Sequence, residues 1–274
     1  MCNPPPPPPR LRRASPSPVP AKLQHQQVVS LLHLLGAVSS TTLRRLQTGG
    51  EHTTCAGRVR LAFVRNDYVC EPGWSAECHD TSHEGHALGN TYIGRFARGA
   101  TKGGTQLASY DTIVMNSGLH VLPLKTVQQH ATRLAYWLQT THYRLLIWRT
   151  AVPGHVNCTA HIAPLAEAYT PPRAHEYRWD HLAAHDALRR SIFDTVLGGR
   201  MKYLDAAAVS NRRADRHLGL HIPRSPSRSH HAARGIGRAD DVSRAPDCLH
   251  YCLPGPPDDW NRVLKAMLIQ HTRS

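Results

Sequence analysis

No uninterrupted apolar run in this chain approaches the roughly 20 residues that a membrane-crossing helix requires, so no segment reads as a span of the bilayer. The first residues carry no apolar core between basic residues and a small-residue cleavage site, which excludes a secretory signal peptide there. Paired C-x-x-C spacing is missing, which speaks against a zinc module. No helix-turn-helix, zinc-finger or RNA-binding aromatic signature accompanies the basic charge, so no nucleic-acid partner is expected.

What is present is a formal net charge of +14, which suits acidic partners such as an anionic polysaccharide, although much of it is Arg in low-complexity stretches. Six consecutive prolines and a Ser-Pro repeat make residues 1–22 an extended or disordered tail. Residues 223–244, rich in Arg, Ser, His and Gly, read as a surface insertion in one domain spanning 23–274. Seven dispersed cysteines favour disulfides and an oxidising compartment, and their odd number leaves one thiol over. Asn157-Cys158-Thr159 is an N-glycosylation sequon, in keeping with a secretory route. Cys78, His79, Asp80, His83 and His86 offer metal-ligand types without regular spacing or a second cluster, so loop histidines are the reading and no metal is expected.

Apolar spacing predicts helices over Gln26–Leu46, Thr126–Gln139, Trp179–Leu197 and Trp260–Gln270, the first packing on a sheet and the last capped by Asp258 or Asp259. Arg58–Val69 alternates like a half-buried strand. Tyr110–Met115 and Tyr143–Trp148 are short apolar runs ending in polar residues, as buried parallel strands do, and Met201–Leu204 is a further strand or turn. Strands alternating with helices indicate an α/β domain in three layers with a mostly parallel sheet.

The densest chemistry lies in Asp247-Cys248-Leu249-His250-Tyr251-Cys252-Leu253-Pro254-Gly255-Pro256-Pro257-Asp258-Asp259-Trp260-Asn261. An Asp three residues before a His can set a carboxylate beside an imidazole, fixing its tautomer and stabilising the imidazolium during proton transfer. The alternative is a disulfide-held turn with a satisfied histidine. With Pro254-Gly255, Trp260 and Asn261 in place, the segment resembles the C-terminal signature of the trichome birefringence-like and PC-esterase proteins of the GDSL/SGNH acyl-esterase superfamily.

That resemblance implies an SGNH-hydrolase-like fold and a polysaccharide O-acyltransferase or acyl esterase, with acetyl transfer foremost and a non-catalytic binder of anionic glycan as the alternative. It makes Asp247 and His250 two members of a Ser-His-Asp triad. Asp111-Thr112-Ile113-Val114-Met115-Asn116-Ser117-Gly118-Leu119-His120 resembles the family block whose Asn donates to the oxyanion, a role it carries to Asn116; a strand-ending Asn in a turn is the alternative. Arg149-Thr150-Ala151-Val152-Pro153-Gly154-His155 resembles the block after a central strand, making Arg149 and His155 candidates for lining the substrate cleft, against a plain loop role. The expected partners are a polysaccharide acceptor and an acyl donor, without a cofactor. The family's route is the secretory pathway or Golgi, and the membrane anchor expected for it is not in this sequence.

One departure is large. Gln27–Leu35 resembles the helix that follows the family's Gly-Asp-Ser nucleophile turn, and that register sets Pro20-Ala21-Lys22 where the turn belongs. The serine is replaced, or lost with the preceding strand. Ser15 and Ser17 lie in the Pro-rich tail and Ser30 lies within the helix, so none substitutes well. Either the first exon is wrongly assigned or the chain is a degenerate member, and the abrupt change from tail to helix favours the first. Without the covalent acceptor, a His-Asp pair supplies only weak general-base chemistry.

Overall fold

The computed structural model describes residues 23–36, 51–63, 110–117, 122–141, 143–173, 178–219 and 246–273. The metal-ligand types at 78–86, the tail and the insertion fall outside these residues.

Three parallel strands form the centre: β3 (Thr112–Met115), β4 (Leu145–Arg149) and β5 (Met201–Leu204), in that spatial order. β4 is buried along its whole length, as its unbroken apolar run requires between two covered faces. Its side chains alternate. Leu146 and Trp148 join Leu134, Leu138 and Phe193 from α2 (Leu124–Gln139) and α3 (Leu182–Leu197), whereas Leu145 and Ile147 join Tyr251, Trp260 and Leu264 on the opposite side. That second face is covered by α4 (Ala206–Ser210) and α5 (Pro256–Arg273), so the expected α/β domain in three layers is what the chain forms.

α2 buries Val127, Ala131, Leu134 and Leu138 at helical spacing, as predicted. A 3₁₀ turn over Trp179–His181 leads into α3, which ends at Gly198 with φ of 57°, a left-handed stop that glycine adopts without strain. α5 starts earlier than its sequence pattern suggests. The Gly255 amide donates to the Asp258 carboxylate three residues on, half of a capping box.

The first helix differs from expectation. α1 (Leu23–Leu34) ends before Gly36, whose φ of 65° turns the chain, although Val38 continues the apolar spacing beyond it. Nor does α1 pack on the parallel sheet: Leu32 and Val28 meet Leu61 and Phe63, and the helix also lies against α5. Leu61 belongs to β2 (Val59–Ala62), which forms an antiparallel hairpin with β1 (Glu51–Thr54).

Candidate active site

The parallel sheet brings polar residues to its carboxyl edge. Met115 pairs with Trp148 and Arg149 with Leu204, so Asn116, Arg149 and Asp205 follow one another along that edge. Asp205 caps α4 by accepting from the Ala208 amide at 3.0 Å and also takes the Thr150 hydroxyl at 3.2 Å, tying the ends of β4 and β5 together.

The loop before α5 is built around the Asp247 carboxylate. Its Oδ1 accepts the backbone amides of Leu249 at 3.1 Å and His250 at 2.9 Å, a self-closing Asx turn. Oδ2 is thereby held 2.8 Å from His250 Nδ1. Burial alone would raise the Asp247 pKa, but the hydrogen bond and charge of His250 and the two amides outweigh it and bring it to about 2. The carboxylate therefore stays ionised and Nδ1 of the partly exposed imidazole carries a proton, so in the neutral ring the lone pair lies on Nε2.

Three neighbouring segments hold this loop. Cys248 is disulfide-bonded to Cys158, 90 residues away, and the His155 amide donates to the Cys248 carbonyl at 3.0 Å. Leu218 and Gly219 donate to the carbonyls of His250 and Asp247. From α1, Gln26 accepts from the Tyr251 amide at 3.0 Å and donates to its carbonyl at 2.7 Å, as a neighbouring strand would. Of the two cysteines flanking His250, Cys252 is a free thiol.

Gly154 is where the loop after β4 passes closest. A Cβ there would lie 2.3 Å from the Trp179 ring and 2.5 Å from the Cys248 carbonyl, and neither ring nor backbone can swing away cheaply. Gly154→Ala is expected to cost about 1–3 kcal/mol, read as a lowered urea midpoint, because relieving the overlap displaces the loop carrying His250.

The other sequence-selected residues lie inside. Arg149 is 1% exposed: Nη2 donates to Asn116 Oδ1 at 2.8 Å, the guanidinium stands 4.9 Å from the Trp260 ring, and Nε and Nη1 have no hydrogen-bond partner among the described residues. Burial lowers its pKa to about 10 against the opposing pull of Asp186. In return Asn116 Nδ2 donates to the Arg149 carbonyl at 2.9 Å, which fixes the amide's orientation and uses one of its two N–H groups among the described residues. His155 is also 1% exposed, with Nδ1 2.7 Å from His217 Nε2 and Nε2 3.0 Å from the Asn211 carbonyl. Both side chains are thus buried, with Trp260 of α5 against Arg149 and the Asn211 carbonyl and His217 against His155. Asn116 is connected to the His250 loop through Arg149 and Trp260, whose ring meets Tyr251 edge-on at 5.9 Å.

Ser30 is excluded as a nucleophile by position. Fully buried, it donates to Asp258 at 2.6 Å and accepts from Asn261 at 2.9 Å, joining α1 to α5. Sequence reading assigned no role at the site to Gln26, His217 or Asp186. The last accepts from the Ala151 amide at 2.7 Å and from Trp148 at 3.2 Å, setting the start of the loop after β4. Arg213 grips Asp215 with two 3.0 Å bonds two residues before His217.

Acidification is expected to weaken the fold in two windows. Burial, then the charges of Arg189 and His181, depress His185 from 6.5 to about 4, so the unfolded chain binds this proton first, and stability complete above 6.5 is lost towards 4. Asp247, depressed from 3.8 to about 2, withdraws its contribution as pH falls across that lower interval. Urea midpoints against pH should fall less steeply across the first window in His185→Phe and across the second in Asp247→Asn.

An α/β sheet with a carboxylate-oriented histidine at its carboxyl edge is the arrangement of an acyl-esterase-like hydrolase. A family profile described as PC-Esterase, the GDSL/SGNH-like acyl-esterase family found in Pmr5 and Cas1p, matches residues 124–267, and the chain belongs to this family. It is similar to Protein trichome birefringence-like 15 of Arabidopsis thaliana, 40% identical over 144 residues that make up 49% of this chain and 25% of that protein. Xylan O-acetyltransferase 2 of Oryza sativa subsp. japonica is 32% identical over 120 residues, 43% of this chain and 21% of its own length. Xyloglucan O-acetyltransferase 1 of Arabidopsis thaliana is 39% identical over 70 residues, 25% of this chain and 14% of its own. The chain thus spans a quarter or less of the length of each of these three relatives.

Proposed function

We propose that this chain carries the acid–base half of an acyl-transfer centre acting on a polysaccharide, with acetyl transfer to a xylan- or xyloglucan-type acceptor as the reaction. The supporting observation is the 2.8 Å contact between Asp247 Oδ2 and His250 Nδ1, which leaves Nε2 as the base. In this reading Nε2 takes the proton of the attacking hydroxyl, and the other N–H of Asn116 faces the oxyanion. Arg149 is the positioning residue that fixes the Asn116 amide. The Cys158–Cys248 disulfide supports a secretory, oxidising location, the Golgi being the family's expected site.

The covalent step needs a serine. The sequence contains no Gly-Asp-Ser, so the chain by itself is expected to transfer little or no acetyl group. Sequencing the 5′ end of the transcript tests the reading. A longer chain with an upstream Gly-Asp-Ser should acetylate xylan or xyloglucan, and His250→Ala should lower its kcat/KM by about 10³-fold or more. Robust transfer by the present sequence, abolished by His250→Ala, would overturn the missing-serine reading. A transcript without the serine, whose product holds anionic glycan equally well after His250→Ala, would favour a non-catalytic binder instead.

A further inference from the structure

Behind the His250 loop, two imidazoles meet in an arrangement that fixes their protons. His155 Nε2 lies 3.0 Å from the Asn211 carbonyl and His217 Nδ1 lies 3.1 Å from the His250 carbonyl. A carbonyl oxygen only accepts, so each of those nitrogens must carry hydrogen. A neutral imidazole has one N–H. If both rings were neutral, the remaining nitrogens, His155 Nδ1 and His217 Nε2, would point bare lone pairs at each other across 2.7 Å. Turning either ring over does not help, because it would set a C–H at that separation, where carbon to a polar atom ordinarily needs about 3.3–3.6 Å. Nor do the two nitrogens flank a zinc ion, whose ligands at about 2.0–2.1 Å each stand more than 3 Å apart in tetrahedral geometry.

We propose that His155 and His217 bind one proton between them, as a buried imidazole–imidazolium pair, and that this proton braces the loop carrying Asp247 and His250. The brace runs from Asn211 through both rings to the His250 carbonyl, alongside the bridge pairing His217 with Tyr251. The rings are enclosed by Tyr169, 4.5 Å from His155, and Tyr251, stacked 4.3 Å from His217. Asp215 favours positive charge on His155 and Asp247 favours it on His217, whereas His161 and His250 oppose it when protonated. Asp215 is itself held by Arg213 and Arg216, and the Cys252 thiol lies 3.5 Å from the His217 carbonyl. Burial pulls both rings downward, His217 to about 3, so the hydrogen bond competes with desolvation for this proton. The closed contact is the protonated state, and loss of the proton on raising the pH opens it.

The inference stands apart from the proposed reaction, and its test reads no activity. In the full chain labelled with ¹⁵N-histidine, a scalar coupling between one ring nitrogen of His155 and one of His217 is expected at low pH, with a far-downfield, exchange-protected proton. Both signals should vanish together as pH rises. Two neutral rings across the whole range with the 2.7 Å contact intact in a crystal structure would overturn the proposal, as would a contact open at every pH. His217→Gln gives a second reading, because its amide donates to His155 without an added proton. The stability difference between wild type and this variant should change across the pH interval in which the coupling is lost; a pH-independent difference there would also overturn the proposal.

Discussion

Replacing Cys158 and Cys248 together by Ala is expected to lower stability by about 4 kcal/mol, since the bridge closes a loop of 90 residues and the entropy it removes from the unfolded chain grows with loop length. Changing both residues at once keeps an orphaned thiol from reaching Cys252, a free cysteine at the other end of the same loop. The damage should concentrate at Asp247 and His250. Without the bridge, the segment still keeps its hydrogen bonds to His155, Arg216, His217, Leu218 and Gly219, the Gln26 clamp and the packing of Tyr251 against Trp260. Urea unfolding of the double variant measures the cost. A free energy within about 0.5 kcal/mol of the wild type would show that those contacts define the loop alone and that the disulfide adds nothing to them.

This loop also shows how far sequence reading reaches. The Asp-x-x-His spacing was legible because a carboxylate and an imidazole three residues apart meet within one turn, and the 2.8 Å contact needs no distant partner. β4 and α2 were legible for the same reason, β4 as an unbroken apolar run and α2 by its helical period. Long-range partners were not. Gln26 and Tyr251 are 225 residues apart, and nothing in a glutamine within a helical run marks it as a mimic of strand pairing. Seven dispersed cysteines admit many pairings, so Cys158–Cys248 could not be singled out. The burial of Arg149 and His155 was not legible either, because a polar residue after an apolar strand looks the same whether it faces a cleft or a buried ring. The sequence-only reading ran α1 past Gly36 because Val38 continues the apolar spacing, while the glycine's left-handed turn overrides that spacing.

Trp260→Ala should cost about 3–5 kcal/mol, more than loss of ring area alone suggests, because the indole serves three neighbours at once. Fully buried on α5, it packs against Tyr251 from the His250 loop, donates through Nε1 to Ser210 at the end of α4 at 2.7 Å, and lies beneath the Arg149 guanidinium. The last contact couples stability to the site. Arg149 is a buried cation with no ion pair among the described residues, so removing the ring face leaves its Nε and Nη1 beside a cavity. Water entering there would compete for Nη2, and the Asn116 amide would lose the bond that sets its orientation. Trp260→Phe separates these effects: the aromatic face stays under Arg149, only the bond to Ser210 goes, and a loss of about 1 kcal/mol is expected. If both variants lost the same amount, the hydrogen bond to Ser210 would be the dominant contribution, and α5 would hold the sheet edge by its other contacts without the ring face beneath Arg149.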